Sequence, residues 1–202
     1  MTTITIETID QVRAQPAHTT IPDVAAYLAV HRAMRASNQL LVDGFTRAPR
    51  FDPARTDALR RWFAGYAAEL RTHHRIEDEL IFPALAERAP GYASIGAQLD
   101  ADHHRLDELM DALTLTLETW AACRDEESVG SLPADALFYA VEMRDLLAEH
   151  LDIEDAQVIP MICEHFTAEE YEVFDKAAAK AIDLKHAFWT VPWIMAMFDA
   201  PT

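Results

Sequence analysis

Apolar residues recur at helical spacing along most of the chain, and no alternating strand pattern is convincing beyond the first ten residues. The first stripe, Val24, Tyr27, Leu28, Met34 and Leu41, predicts a helix from just after Ile21 to about Asp43, with Pro22 near its first turn. "RAPRFDPAR" reads as a loop in which Asp52-Pro53 caps and opens a second helix, which runs through "PALAER" until Pro90-Gly91 breaks it. A third helix is predicted from about Ser94 to Ala122. "CRDEESVGSLP" is the next loop, and a fourth helix runs from about Ala134 to Glu164. Thr167 with Glu170 forms a capping-box pattern that opens a shorter fifth helix. The aromatic and Met-rich tail from Phe188 is expected to pack across the others. Long helices with short connections predict an all-α fold, an up-down-up-down four-helix bundle with a short C-terminal helical extension. The expected divisions are an N-terminal segment (1–21), the bundle (22–165) and a helical appendage (166–202).

Several polar residues sit on the stripes that should face inward. Positions i and i+4 of a helix differ by about 40° and rise about 6 Å, so their side chains reach the same place. His73 and Glu77 have that spacing, as do His150 and Glu154, and their flanking residues are Leu70, Ile76, Leu147 and Ile153. His31 shares a face with Tyr27 and Met34. His103 shares one with Leu99, Leu106 and Met110, whereas His104 falls among Asp100, Asp107, Glu108 and Asp111 and should meet water. Asp107, at i+4 from His103, lies on the edge of the inner face. His74 precedes Glu77 by only three positions. Both are candidates for an additional or supporting place in any site, while His18, His165 and His186 read as surface or packing residues.

The chain also repeats itself. "HHRIEDELIFPAL" at 73–85 and "HLDIEDAQVIPMI" at 150–162 share His73/His150, Ile76/Ile153, Glu77/Glu154, Asp78/Asp155 and Pro83/Pro160. Tyr27, His31, Met34 and Leu41 match Leu99, His103, Leu106 and Leu113 in the same sense, so one helical hairpin is written twice. Pro83 and Pro160 each lack an amide donor and crowd the carbonyl four residues earlier. A kink or an early stop is therefore expected just beyond each acidic motif.

Composition narrows the chemistry. Among 202 residues, 34 are acidic and 17 are Lys or Arg, a formal charge of −17 that repels phosphate backbones and anionic lipid. Nucleic acid and membrane are not the expected partners. The apolar run 187–198 is short for a span and is interrupted by Pro192. Cys123 and Cys163 are too few for a thiolate cage and read as buried reduced thiols. No secretory leader is visible at the start, and the expected location is cytoplasmic.

Two inward carboxylates cost several kcal/mol each to bury unless something positive satisfies them. A single inward histidine is ordinarily a hydrogen-bonded core residue, and one His-x-x-x-Glu is ordinarily a surface pair. Four inward histidines on four helices with the pair doubled point instead to a cation site made by His31, His73, Glu77, His103, His150 and Glu154. Imidazole with carboxylate suits iron, manganese or zinc. No Ser or Cys stands beside a recognisable base in these motifs, so nucleophilic catalysis finds no support.

"HRAMR" at 31, "HHRIEDELIFP" at 73, "DHHRL" at 102 and "HLDIEDAQVIP" at 150 together resemble the hemerythrin-like family of HHE cation-binding domains, over about 22–165. The resemblance implies a non-haem centre of two iron ions in a four-helix bundle, with manganese or zinc less suited, held by the six residues just named. It implies a small diatomic ligand, O2 or NO, or peroxide as the partner. The oxygen carriers of that family have a second third-helix histidine where this chain has Asp107, and they pair the last histidine with a more distant aspartate rather than with Glu154. More carboxylate and less imidazole favour higher-valent iron. Peroxide or oxygen chemistry, which would make the protein a di-iron oxidoreductase, stands here beside a non-enzymatic iron sensor or sequestering module.

Overall fold

The computed structural model describes residues 21–181. His18, His186 and the apolar tail lie outside that range. Within it the helices are α1 (Ala25–Thr46), α2 (Pro53–Ile76), α3 (Phe82–Arg88), α4 (Gly96–Ala122), α5 (Leu132–Ile153), α6 (Ile159–His165) and α7 (Ala168–Ala181), and no strand occurs among the described residues. The chain forms the expected all-α bundle: α1 lies against α2 and α5, and α4 lies against α2 and α5, closing a ring of four antiparallel rods. α7 packs on α2.

Local chemistry sets the ends. The Asp52 carboxylate accepts from the Arg55 amide at 3.0 Å, with Pro53 in the first turn, as the sequence leads one to expect. Thr167 and Glu170 bond reciprocally, Thr167 N–H to Glu170 Oε2 at 3.0 Å and Glu170 N–H to Thr167 Oγ1 at 3.2 Å. α5 begins at Leu132, slightly before the expected Ala134, because Pro133 fits its first turn.

The two internal prolines do something else than stop the helix. α2 passes into α3 through a π-turn, Glu77–Ile81, and α5 passes into α6 through another, Glu154–Val158. In each, the amide just before the proline reaches back five residues, Phe82 N–H to Glu77 C=O and Ile159 N–H to Glu154 C=O. Widening the turn by one residue absorbs the missing proline donor while the helix continues. Ile81, Phe82, Leu85, Val158, Ile159 and Ile162 then stay buried on the inner side.

Two apolar clusters fill the bundle. The larger includes Met34, Leu41, Phe63, Tyr66, Leu70, Met110, Leu113, Leu117 and Met143. The smaller includes Tyr27, Phe82, Leu85, Tyr92, Leu99, Ile159, Ile162 and Phe166. A polar layer contributed by the four long helices lies between them.

Candidate metal centre

The polar layer brings together all six residues singled out by spacing. His31, Glu77, His150 and Glu154 are 0 % exposed and His103 is 4 % exposed, and the His73 side chain is 12 % exposed. They form two adjoining nests that share both glutamates: His31, His73, Glu77 and Glu154 on the α1–α2 side, and Glu77, His103, His150 and Glu154 on the α4–α5 side. The ligand-type atoms within each nest lie within 4.8 Å of one another. His73 Nε2 is 3.0 Å from Glu77 Oε1, and His103 Nε2 is 3.6 Å from Glu77 Oε2. Glu154 mirrors this, with Oε2 at 3.3 Å from His31 Nε2 and Oε1 at 3.2 Å from His150 Nε2. Each carboxylate thus spans the two nests.

Two of the outer nitrogens are held by aspartates. His31 Nδ1 lies 2.7 Å from Asp155 Oδ1, and His103 Nδ1 lies 2.8 Å from Asp78 Oδ1. His150 Nδ1 has Asp102 Oδ2 at 3.6 Å. A carboxylate facing Nδ1 accepts its N–H, which fixes the tautomer and leaves a bare lone pair on Nε2. Arg35 in turn grips Asp155 at 2.8 Å and Asp152 at 3.0 Å. The sequence shows Asp78 and Asp155 as recurring letters; their role as braces depends on the packing of another helix against each.

The inner atoms are therefore acceptors facing acceptors. His31 Nε2 and His73 Nε2 are 3.3 Å apart, and His103 Nε2 and His150 Nε2 are 3.1 Å apart. Glu77 Oε2 and both Glu154 oxygens are buried without a hydrogen-bond partner. Converging lone pairs in a dry layer are a costly arrangement for a protein alone, and a cation is what satisfies them. The donor set fits a pair of metal ions that take nitrogen and hard oxygen ligands.

Protonation follows the same logic. Burial lowers the His31 pKa to about 4, against the pull of Asp155. Burial also lowers His103 and His150 and takes His74 well below the ordinary value. His73 is raised, because the Glu77 charge and hydrogen bond outweigh its burial. Burial would lift Glu77, but His73 and the other imidazoles hold it low. Burial and the charge on Glu77 push Glu154 well above the carboxylate range.

Two further residues distinguish the halves. Tyr27, read from the sequence as an apolar stripe residue, donates its hydroxyl to Glu77 Oε1; Leu99 occupies the matching place in the other repeat. His74 is buried beside His103 and His150. Asp107 lies away from the layer: its side chain is exposed and pairs with Arg71 at 3.3 Å, since a position at i+4 from His103 on this helix turns past the inner face. His104 faces solvent near Asp100, and His165 is partly exposed beside Glu164. Cys163 is buried as expected, but Cys123 is only half-buried because it ends α4.

A cavity of about 400 Å³ reaches the α1–α2 nest. Tyr27, His73 and Glu77 form its inner wall, and Val30, Tyr171 and Phe174 are among its apolar lining. No helix among the described residues is long and apolar enough to cross a membrane. Comparison with curated proteins and with solved structures finds no match. A family model described as the hemerythrin HHE cation binding domain matches residues 23–162.

Proposed function

The chain belongs to the hemerythrin HHE cation-binding domain family, and from that premise we propose that it is a non-haem di-iron protein that engages O2, NO or peroxide. The observation that carries this reading is the pair of nests sharing Glu77 and Glu154, whose inner atoms are nearly all lone pairs. His31 and His73 would hold one ion, His103 and His150 the other, and the two glutamates both. Iron in such a place supplies reversible electron transfer to a small oxygen- or nitrogen-containing ligand. The chain's own residues do the rest. Asp155 and Asp78 keep His31 and His103 turned inward, Asp102 lies 3.6 Å from the outer nitrogen of His150, and the two apolar clusters exclude bulk water. The cavity at His73 supplies a way in for a small molecule.

The test is elemental analysis of the full chain produced without added metal, followed by visible spectra under O2, NO and hydrogen peroxide. About two iron ions per chain and a spectral response to at least one ligand are expected, both lost in a His73→Ala/His150→Ala double variant. Absence of bound metal, or an iron-loaded protein indifferent to all three ligands, refutes the reading.

The orphaned carboxylate oxygens favour a second reading, in which the domain senses or sequesters iron without turnover. Metal would then govern stability, because the free protein keeps costly buried acceptors. Equal melting and proteolysis of the metal-free and loaded forms would remove this alternative.

A further inference from the structure

The repeats share their His-x-x-x-Glu pair and keep apolar residues at the other buried places of the motif, Ile81, Phe82 and Leu85 against Val158, Ile159 and Ile162, yet one buried position breaks the pattern. Where the second repeat has Leu151, fully buried, the first has His74, which is 4 % exposed. An apolar side chain suits this register, as Leu151 demonstrates. The imidazole at 74 leaves both of its nitrogens buried without a hydrogen-bond partner. Such an arrangement works against folding unless a ligand meets it. The ring is not idle in position. It lies parallel to His103, centroids 4.0 Å apart and planes at 12°, and 5.7 Å from the His150 ring. One nitrogen from each of His74, His103 and His150 falls within 4.8 Å of the others. Ligands on opposite sides of one ion with bonds of about 2.1 Å stand about 4.2 Å apart, so the three nitrogens are close enough to share a cation once the His74 ring turns out of its stack on His103 and brings a lone pair, which lies in the ring plane, toward the same point.

We propose that His74 is a direct metal ligand, so that the α4–α5 position receives three imidazoles and the α1–α2 position two, and the two positions fill in order. The inference rests on the metal-binding reading given above and adds an inequality to it. The shared glutamates contribute alike to both sides, and Tyr27 already holds one oxygen of Glu77 on the α1–α2 side. The three-imidazole position is therefore the tighter and the first to load.

Cobalt(II) is the probe, added to the full-length metal-free protein and followed by its visible absorption against a competing chelator. Wild type is expected to take up two equivalents in resolved steps. His74→Leu, which copies the residue of the other repeat, is expected to lose the tight step, by at least about tenfold in affinity, and to keep the other. The same variant without metal is expected to unfold at higher urea than metal-free wild type. His74→Glu, which restores a ligand, is expected to recover the tight step. No cobalt uptake by wild type would refute metal binding itself. Two unchanged steps in His74→Leu, or a metal-free His74→Leu protein less stable than wild type, would refute the role of His74 alone, leaving it a packing residue.

Discussion

Asp155→Asn isolates the bracing of His31 from the imidazole itself. Asparagine keeps the shape and still accepts from His31 Nδ1–H, but it removes the charge that makes the ring a better donor. It also releases Arg35, whose Nη2 sits 2.8 Å from Asp155 Oδ2. Loss of an outer carboxylate of this kind weakens metal affinity by about 10- to 100-fold, or about 1.4–2.7 kcal/mol. The side chain of Asp155 is only 20 % exposed and its arginine fixes it, so the effect should fall in the upper part of that range. Asp78→Asn is the internal comparison. Asp78 braces His103 at the same distance within 0.1 Å, but its side chain is 44 % exposed and no arginine pairs with it among the described residues. Water already screens that carboxylate, so the loss should lie near the lower end. The assay is competition with a chromophoric chelator, run on each variant against wild type. Affinity unchanged within threefold in Asp155→Asn, or an equal or larger loss in Asp78→Asn, refutes the reasoning that these carboxylates tune the imidazoles according to their burial.

Metal-free protein should lose stability on acidification, because the His31 pKa is depressed in the fold. Its contribution is complete above the ordinary value of 6.5 and declines as pH falls toward about 4, since the unfolded chain accepts a proton that the buried ring refuses. The expected loss from this group is about 3 kcal/mol, read from urea midpoints across that window; a flat profile contradicts it. Tyr27→Phe removes the buried hydroxyl that donates to Glu77 and should destabilise the metal-free protein by about 1.5–3 kcal/mol, measured by denaturant unfolding. The double variant Pro83→Ala/Pro160→Ala restores the amides whose absence widens both turns and should weaken metal uptake while leaving helix content by circular dichroism unchanged; undiminished uptake would show that the prolines do not maintain the register of the acidic motifs.

The bundle was legible because its signals are local. Stripes at helical spacing, Asp52-Pro53 and Thr167/Glu170 report on a turn or two of helix, and each element sits within a few residues of where those signals place it. The six inward site residues were legible for the same reason, since i to i+4 spacing among apolar neighbours decides which way a side chain points. What escaped depends on more than one helix. A proline inside a helix admits a stop, a kink or a widened turn, and only the need to keep Ile81 and Phe82 buried selects the last. Asp78 and Asp155 declare themselves only once their partners arrive from other helices. Tyr27 looked apolar because its ring is, while its hydroxyl serves Glu77. Asp107 lay close enough to the inner edge for Arg71, across the helix pair, to decide the matter.

The aspartate contacts link the two halves of the chain reciprocally: Asp78 of the first hairpin steadies His103 of the second, and Asp155 of the second steadies His31 of the first. A chain cut between the hairpins therefore leaves His31 and His103 without the aspartates that orient them. Two copies of one hairpin, crossed over each other, would satisfy the same wiring. The two hairpins thus complete one another, and the polar layer closes only where both halves have met.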